Sequence, residues 1–177
     1  MKKERKVILY IAMSLDGYIA APDSSLDFLS IVEEEGQDYS YSNFVSSVDT
    51  VIIGRKSYEK VISLGYDYPH TDKNVYVMTR TPRPAIGSTQ FHTGNLKELV
   101  LELKDKKGKN IYVDGGAEVV NELLLDNLID EFYISVIPIL LGDGISLFKS
   151  GRPVLQLKFI SSRSYNKGLV QLHYVKA

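Results

Sequence analysis

Five short runs of consecutive apolar, β-forming residues constrain the fold of this chain more than any other feature: Val7 to Met13, Thr50 to Ile53, Asn74 to Met78, Asn110 to Val113 and Phe132 to Ile137. They are continuous rather than alternating, which is the pattern of strands buried on both faces of a sheet. Between them lie helical patterns. Leu96, Leu99, Val100 and Leu103 fall at i, i+3, i+4 and i+7, and Val119, Val120, Leu123 and Leu124 mark one face of a second helix. Asn95 followed by Glu98 resembles a capping box, and Gly108 after Lys104, Lys106 and Lys107 reads as a stop. A further helix is predicted over Asp38 to Val48. Strands alternating with helices predict a mainly parallel sheet with right-handed crossovers. The ending differs: Val154 to Ser164 and Leu169 to Val175 flank Asn166-Lys167-Gly168, a tight-reversal sequence, and predict an antiparallel hairpin added to the sheet.

The 177 residues suffice for one sizeable core, and no repeat or interdomain linker interrupts them, so one domain over residues 1–177 is expected. A formal net charge of -1 gives no electrostatic case for nucleic acid or an anionic membrane. With no cysteine, disulfides, thiolate metal sites and cysteine nucleophiles are excluded, which suits a cytoplasmic location. The basic start followed by Val7 to Leu15 has the outline of a signal peptide, but the run is short, diluted by Tyr10 and Ser14, and broken by Asp16-Gly17. No stretch approaches the ~18 apolar residues of a membrane-spanning helix.

Chemistry is concentrated where glycines follow strands. Gly54-Arg55-Lys56-Ser57 follows the second run, and Gly115-Gly116 follows Asp114 and opens the helix beginning near Ala117. A strand running into glycine and then a helix leaves free N–H groups and a positive dipole end at the carboxyl edge of a parallel sheet, where nucleotide phosphates bind. Taken singly, each glycine is explained as well by the turn it makes. The third glycine segment, Ser14 to Ala20, reads by itself as a turn with Asp16-Gly17 at its corner.

Taken in order and spacing, AMSLDGYIA (12–20), DTVIIGRKSY (49–58), VDGGAEV (113–119), LIDEFYI (128–134) and PILLGDGISLF (138–148) resemble the dihydrofolate reductase superfamily. The similarity is strongest to the branch containing the C-terminal reductase domain of the bifunctional riboflavin-biosynthesis deaminase/reductase, and it covers nearly the whole chain. It implies a three-layer αβα, dihydrofolate-reductase-like fold and NADPH as cofactor. By the resemblance Ala12, Ile19 and Ala20 line the nicotinamide. Gly54, Arg55, Lys56 and Ser57 with Gly115 and Gly116 hold the pyrophosphate region, Arg55 and Arg80 lie near the 2′-phosphate, and Thr79, Asp114, Ala117 and Glu118 are further cofactor-binding residues.

The same resemblance implies two catalytic candidates, Asp38 as the substrate-protonating acid and Ser135 as a supporting hydroxyl. Asp38 has an alternative role as a helix N-terminal acid favoured by the dipole, and Asp16 or Asp114 could take the acid's part in a riboflavin-type reduction. The chain lacks the tryptophan loop of true dihydrofolate reductases, whereas Asp114 and Leu141-Gly142-Asp143-Gly144 are typical of the riboflavin branch. The implied activity is 5-amino-6-(5-phosphoribosylamino)uracil reduction, with a pterin reductase or a non-catalytic NADP sensor as alternatives. Lys149 and Arg152 are the nearest cations for a substrate phosphate. Expected partners are a small heterocyclic substrate and, as the candidate assembly, a homodimer.

No metal site is expected, because His70, His92 and His173 are scattered and metal sites need clustered ligands. Tyr39, Tyr41, Tyr66 and Tyr68 cluster where a planar heterocycle could stack, with core or interface packing as their default role.

Overall fold

The computed structural model describes residues 4–65 and 67–177. Ten strands form: β1 (Val7–Ser14), β2 (Tyr18–Ala20), β3 (Val48–Gly54), β4 (Asn74–Met78), β5 (Thr89–His92), β6 (Asn110–Gly115), β7 (Glu131–Ile137), β8 (Ile145–Ser146), β9 (Leu157–Ser164) and β10 (Val170–Lys176). Among the described residues four α-helices accompany them: α1 (Tyr41–Ser46), α2 (Arg55–Ser63), α3 (Leu96–Asp105) and α4 (Ala117–Leu125). Eight strands make one sheet in the order β5-β4-β3-β6-β1-β7-β10-β9, parallel from β5 to β7 and antiparallel through the β10–β9 hairpin. Strands β2 and β8 form a separate small antiparallel pair.

Side-chain alternation along the central strands creates the layers. Val7, Leu9, Ile111 and Val113 point into a core shared with α3 and α4, while Ile8 and Tyr112 point to the opposite face, among Phe44 of α1 and Tyr58 of α2. The run with the outline of a signal peptide is thus β1, paired on both sides within the sheet. Helix α3 starts as its sequence predicts, with Asn95 Oδ1 accepting from the Glu98 N–H at 3.0 Å. The base of the sheet is pinned by buried Arg5, which donates to the carbonyls of Leu103 and Lys109 and to Thr50 Oγ1 and pairs with Asp49.

Two expectations are corrected. The helix predicted over Asp38 to Val48 spans only Tyr41–Ser46, because Tyr39 and Ser40 both adopt positive φ and turn the chain first. At its other end β3 begins at Val48. Strand β9 begins at Leu157 rather than Val154. Asp16-Gly17 does reverse the chain, with Gly17 at φ +90, but β2 pairs with β8 rather than folding back onto β1. Among the described residues no helix is long and apolar enough to cross a membrane.

Candidate active site

The two glycine junctions meet. Strands β3 and β6 are adjacent and parallel, so their carboxyl ends deliver Gly54 and Gly116 side by side as the N-caps of α2 and α4. A Cβ built on Gly54 would lie 3.5 Å from Gly116 N and 3.3 Å from Val119 Cγ2, and one on Gly116 would lie 2.6 Å from Ser57 Oγ. Neither helix start has a side-chain cap. Two sets of first-turn N–H groups and two positive dipole ends therefore share one edge of the sheet, an arrangement that accommodates a diphosphate. Gly115 is held at φ +103, which side-chain-bearing residues rarely adopt, and its peptide to Gly116 is cis.

Around this junction the expected cofactor residues are placed unevenly. Arg55 is half-exposed and already paired: its Nη1 donates to Glu59 Oε2 at 2.5 Å, and Arg83 Nη2 reaches Glu59 Oε1 at 2.9 Å. One carboxylate thus balances two guanidiniums where only Arg55 was anticipated. Lys56 and Arg80 are exposed, and Thr79 extends β4 by donating its N–H to the His92 carbonyl. Ala117 is buried in the first turn of α4, where Glu118 is exposed. Ala12 pairs with Ser135 across β1 and β7 and packs beside Phe28 and Val32, whereas Ile19 packs toward the α3–α4 core and Ala20 is buried on β2.

The two expected catalytic residues are engaged separately. Ser135 is buried and its Oγ accepts from Gln171 Nε2 at 3.2 Å; the same amide reaches Tyr10 Oη at 2.9 Å, and that hydroxyl donates to the Tyr39 carbonyl at 2.7 Å. Asp38 is exposed and accepts from the N–H groups of Ser40 and Ser42 at 3.0 and 3.1 Å. The Ser42 hydroxyl, then these amides, hold its carboxyl below the usual carboxylate range. That geometry is the helix-start role, satisfying donors ahead of α1. Asp16 is held low in the same way, first by Ser14 Oγ at 2.5 Å and then by the N–H groups of Gly142 at 2.7 Å and Leu141 at 3.1 Å. It fastens the 14–20 turn to the Leu141–Gly144 loop.

Asp114 is the opposite case. It lies near the carboxyl end of β6 with its carboxyl surrounded by protein. Burial pushes its pKa up, against the opposing pull of two hydroxyl donors, Tyr112 Oη to Oδ1 at 2.7 Å and Tyr68 Oη to Oδ2 at 2.5 Å. Tyr41 Oη lies 2.9 Å from His70 Nε2, and the rings of Tyr41, Tyr68 and His70 close around the group. Of the four clustered tyrosines, Tyr41 and Tyr68 belong to this cage, Tyr39 packs edge-on against Tyr165 instead, and Tyr66 lies outside the described residues. The Tyr112–Asp114 spacing of two along one strand was the readable signal for the cage; Glu59 one helical turn after Arg55 was the signal for its partner. Lys149 and Arg152 are exposed after β8, with Arg152 over the Phe148 ring.

The sheet order, the facing βα junctions and the C-terminal hairpin define a dihydrofolate-reductase-like α/β domain. Residues 5–171 match the RibD C-terminal domain, and the chain belongs to that family. It is 44% identical over 175 residues to the uncharacterized protein YwjB of Bacillus subtilis (strain 168), covering 98% of this chain and 99% of YwjB. Among solved structures, a putative riboflavin biosynthesis protein from Shewanella sp. PV-4 superimposes with a TM-score of 0.88 at 30% identity, covering 97% of this chain and 99% of that one. Dihydrofolate reductase from Enterococcus faecalis, complexed with NADP(H) and RAB-propyl, shares the fold at a TM-score of 0.67 and 17% identity, with 97% and 96% of the two chains covered.

Proposed function

We propose that this protein is an NADPH-dependent reductase of the riboflavin-biosynthesis type, acting on a ribosylaminopyrimidine phosphate. The observation that carries the reading is the pair of uncapped, glycine-opened helix starts beside an enclosed carboxyl, Asp114, on the family's reductase fold. The residues suit the dinucleotide, since a Cβ at Gly116 would fill the cradle between the helix starts. In this reading the amides opening α2 and α4 hold the pyrophosphate, and Arg55 and Arg80 take the 2′-phosphate. Ala12, Ile19 and Ala20 border the nicotinamide. When bound, NADPH supplies a hydride to an electrophilic carbon held in near contact.

The protein's own contribution is orientation and a proton. Asp38 and Asp16 are held ionised by their donors, so neither is suited to give a proton, whereas the burial of Asp114 favours its protonated form. We therefore assign the acid's part to Asp114. Ser135, tied to Gln171 and Tyr10, supports the back of the site. A pterin reductase using Asp38 and Ser135 is the second reading; their separate engagement disfavours it. The test is steady-state NADPH oxidation with the ribosylaminopyrimidine phosphate and with dihydrofolate. Turnover of the former and not the latter supports the proposal; the reverse favours the pterin reading, and NADPH binding with no turnover of either favours a sensor.

A further inference from the structure

The phenol of Tyr112 has one proton and two acceptors. Its Oη lies 2.7 Å from Asp114 Oδ1 and 3.3 Å from the carbonyl oxygen of Tyr10 on the neighbouring strand β1. The shorter contact takes the proton, and the carbonyl stands by as a second acceptor at the long end of O–H···O reach. Tyr68 differs. Its Oη donates to Asp114 Oδ2 at 2.5 Å and, among the described residues, meets no other acceptor. Both tyrosines are 3% exposed, which leaves protein acceptors to decide where their protons point.

This difference decides where a proton on Asp114 can sit. An ionised carboxylate accepts from both phenols. A carboxyl with a proton on one oxygen has lost that oxygen as a full acceptor, so the phenol beside it needs another. Of the two, Tyr112 has one. We propose that Tyr112 is the positioning residue of the acid: its hydroxyl points at the Tyr10 carbonyl while Asp114 carries a proton on Oδ1, and swings to Oδ1 as that proton leaves for the substrate. The inference rests on the reductase reading above. In the reducing step the substrate carbon receives a hydride from NADPH, and the π pair of the C=N or C=O bond moves to nitrogen or oxygen. That atom takes the Oδ1 proton, the O–H electron pair stays on Asp114, and the carboxylate so formed is met by two phenol donors. A contact that strengthens as charge develops is one that speeds the reaction.

The titratable groups around the carboxyl are Tyr112 on β6 itself, Tyr41 from α1, and Tyr68 and His70 from the segment after α2. Tyr10 of β1 offers its carbonyl, while its own hydroxyl is spent on the Tyr39 carbonyl at 2.7 Å. Of these groups His70 alone can be cationic, and burial, its largest influence, pushes it toward the neutral form. The proton on Asp114 is therefore balanced against hydroxyl dipoles rather than a fixed charge.

Tyr112→Phe keeps the ring and removes the swinging proton. With one donor gone from the ionised form, Asp114 should hold its proton to higher pH, and the descending limb of kcat/KM should move up by about one unit or more, the scale of a hydrogen bond to a charged group. A limb that stays in place in the folded variant overturns the part given to Tyr112. Tyr68→Phe should move the limb in the same direction, so a second readout separates the two phenols, and it needs no activity. In the ligand-free protein the carbon-13 NMR signal of the Tyr10 carbonyl should titrate in step with the Asp114 carboxyl. That step should persist in Tyr68→Phe and vanish in Tyr112→Phe and in Asp114→Asn; if Tyr112→Phe does not fold, wild type and Asp114→Asn carry the comparison. A Tyr10 carbonyl signal that stays still across the pH range in which the wild type is folded overturns the proposal, as does a step that survives in Tyr112→Phe. Failure of the wild type to oxidise NADPH with any heterocycle counts against the reductase reading, and the NMR titration still decides the role of Tyr112.

Discussion

Replacing Gly116 by alanine separates two reasons for that glycine. Its φ of -77 is open to any residue, so the backbone itself resists nothing. The new Cβ would fall 2.6 Å from Ser57 Oγ, inside contact distance, and the next atom of Ser57, its Cβ, is 4.0 Å away. Ser57 must rotate or α2 must shift, an overpacking cost of about 1–3 kcal/mol at the lower end if the hydroxyl turns freely. Removing that oxygen in Ser57→Ala/Gly116→Ala should return ligand-free stability to the level of Ser57→Ala alone. The methyl still projects between the two helix starts. If it costs one charge-assisted contact to the pyrophosphate, about 1.5–3 kcal/mol, NADPH binding weakens by about 10- to 150-fold. Denaturant melts of the four proteins in the cycle, paired with fluorescence titrations of NADPH, measure both effects. The reasoning fails if the double variant binds NADPH like Ser57→Ala, for the pyrophosphate then lies elsewhere.

Other predictions concern charge. Glu59→Gln releases Arg55 and Arg83 from their shared carboxylate and should tighten NADPH severalfold with little change for NADH; equal effects on both cofactors would move the 2′-phosphate away from Arg55. Asp114 has a raised folded pKa, so the folded state binds the extra proton and stability falls as pH rises from the ordinary carboxylate value through the raised one; Asp114→Asn should flatten that decline in pH-dependent melts. Asp16 has the opposite sign, with stability present above its unfolded value and lost as pH falls through its depressed one, and Asp16→Asn should remove that acid limb and speed amide exchange at Leu141 and Gly142.

Much of this fold can be read in the sequence because the buried strands are continuous apolar runs, and α3 carries its cap in Asn95 and Glu98. Strand β5 escapes because Thr89-Gln90-Phe91-His92 lies at the sheet edge and carries no apolar run. The late start of α1 escapes because positive φ at Tyr39 and Ser40 has no marker in residues that ordinarily avoid it. At the site, the glycine junctions are local and legible, whereas their meeting depends on β3 lying next to β6. The cage is tertiary: Tyr112 shares a strand face with Asp114, but Tyr41, Tyr68 and His70 arrive from α1 and the segment after α2. Asp38, the acid implied by the family resemblance, has its lone pairs directed at the backbone in front of α1, a use that sequence position alone does not distinguish from catalysis.

The most direct test of the central claim is NADPH oxidation with the ribosylaminopyrimidine phosphate in wild type, Asp114→Asn and Asp38→Asn. The account predicts turnover in wild type, a loss of about 100-fold or more in Asp114→Asn, as for removal of a general acid, and near-normal rates in Asp38→Asn. Full activity in Asp114→Asn together with loss in Asp38→Asn would contradict it.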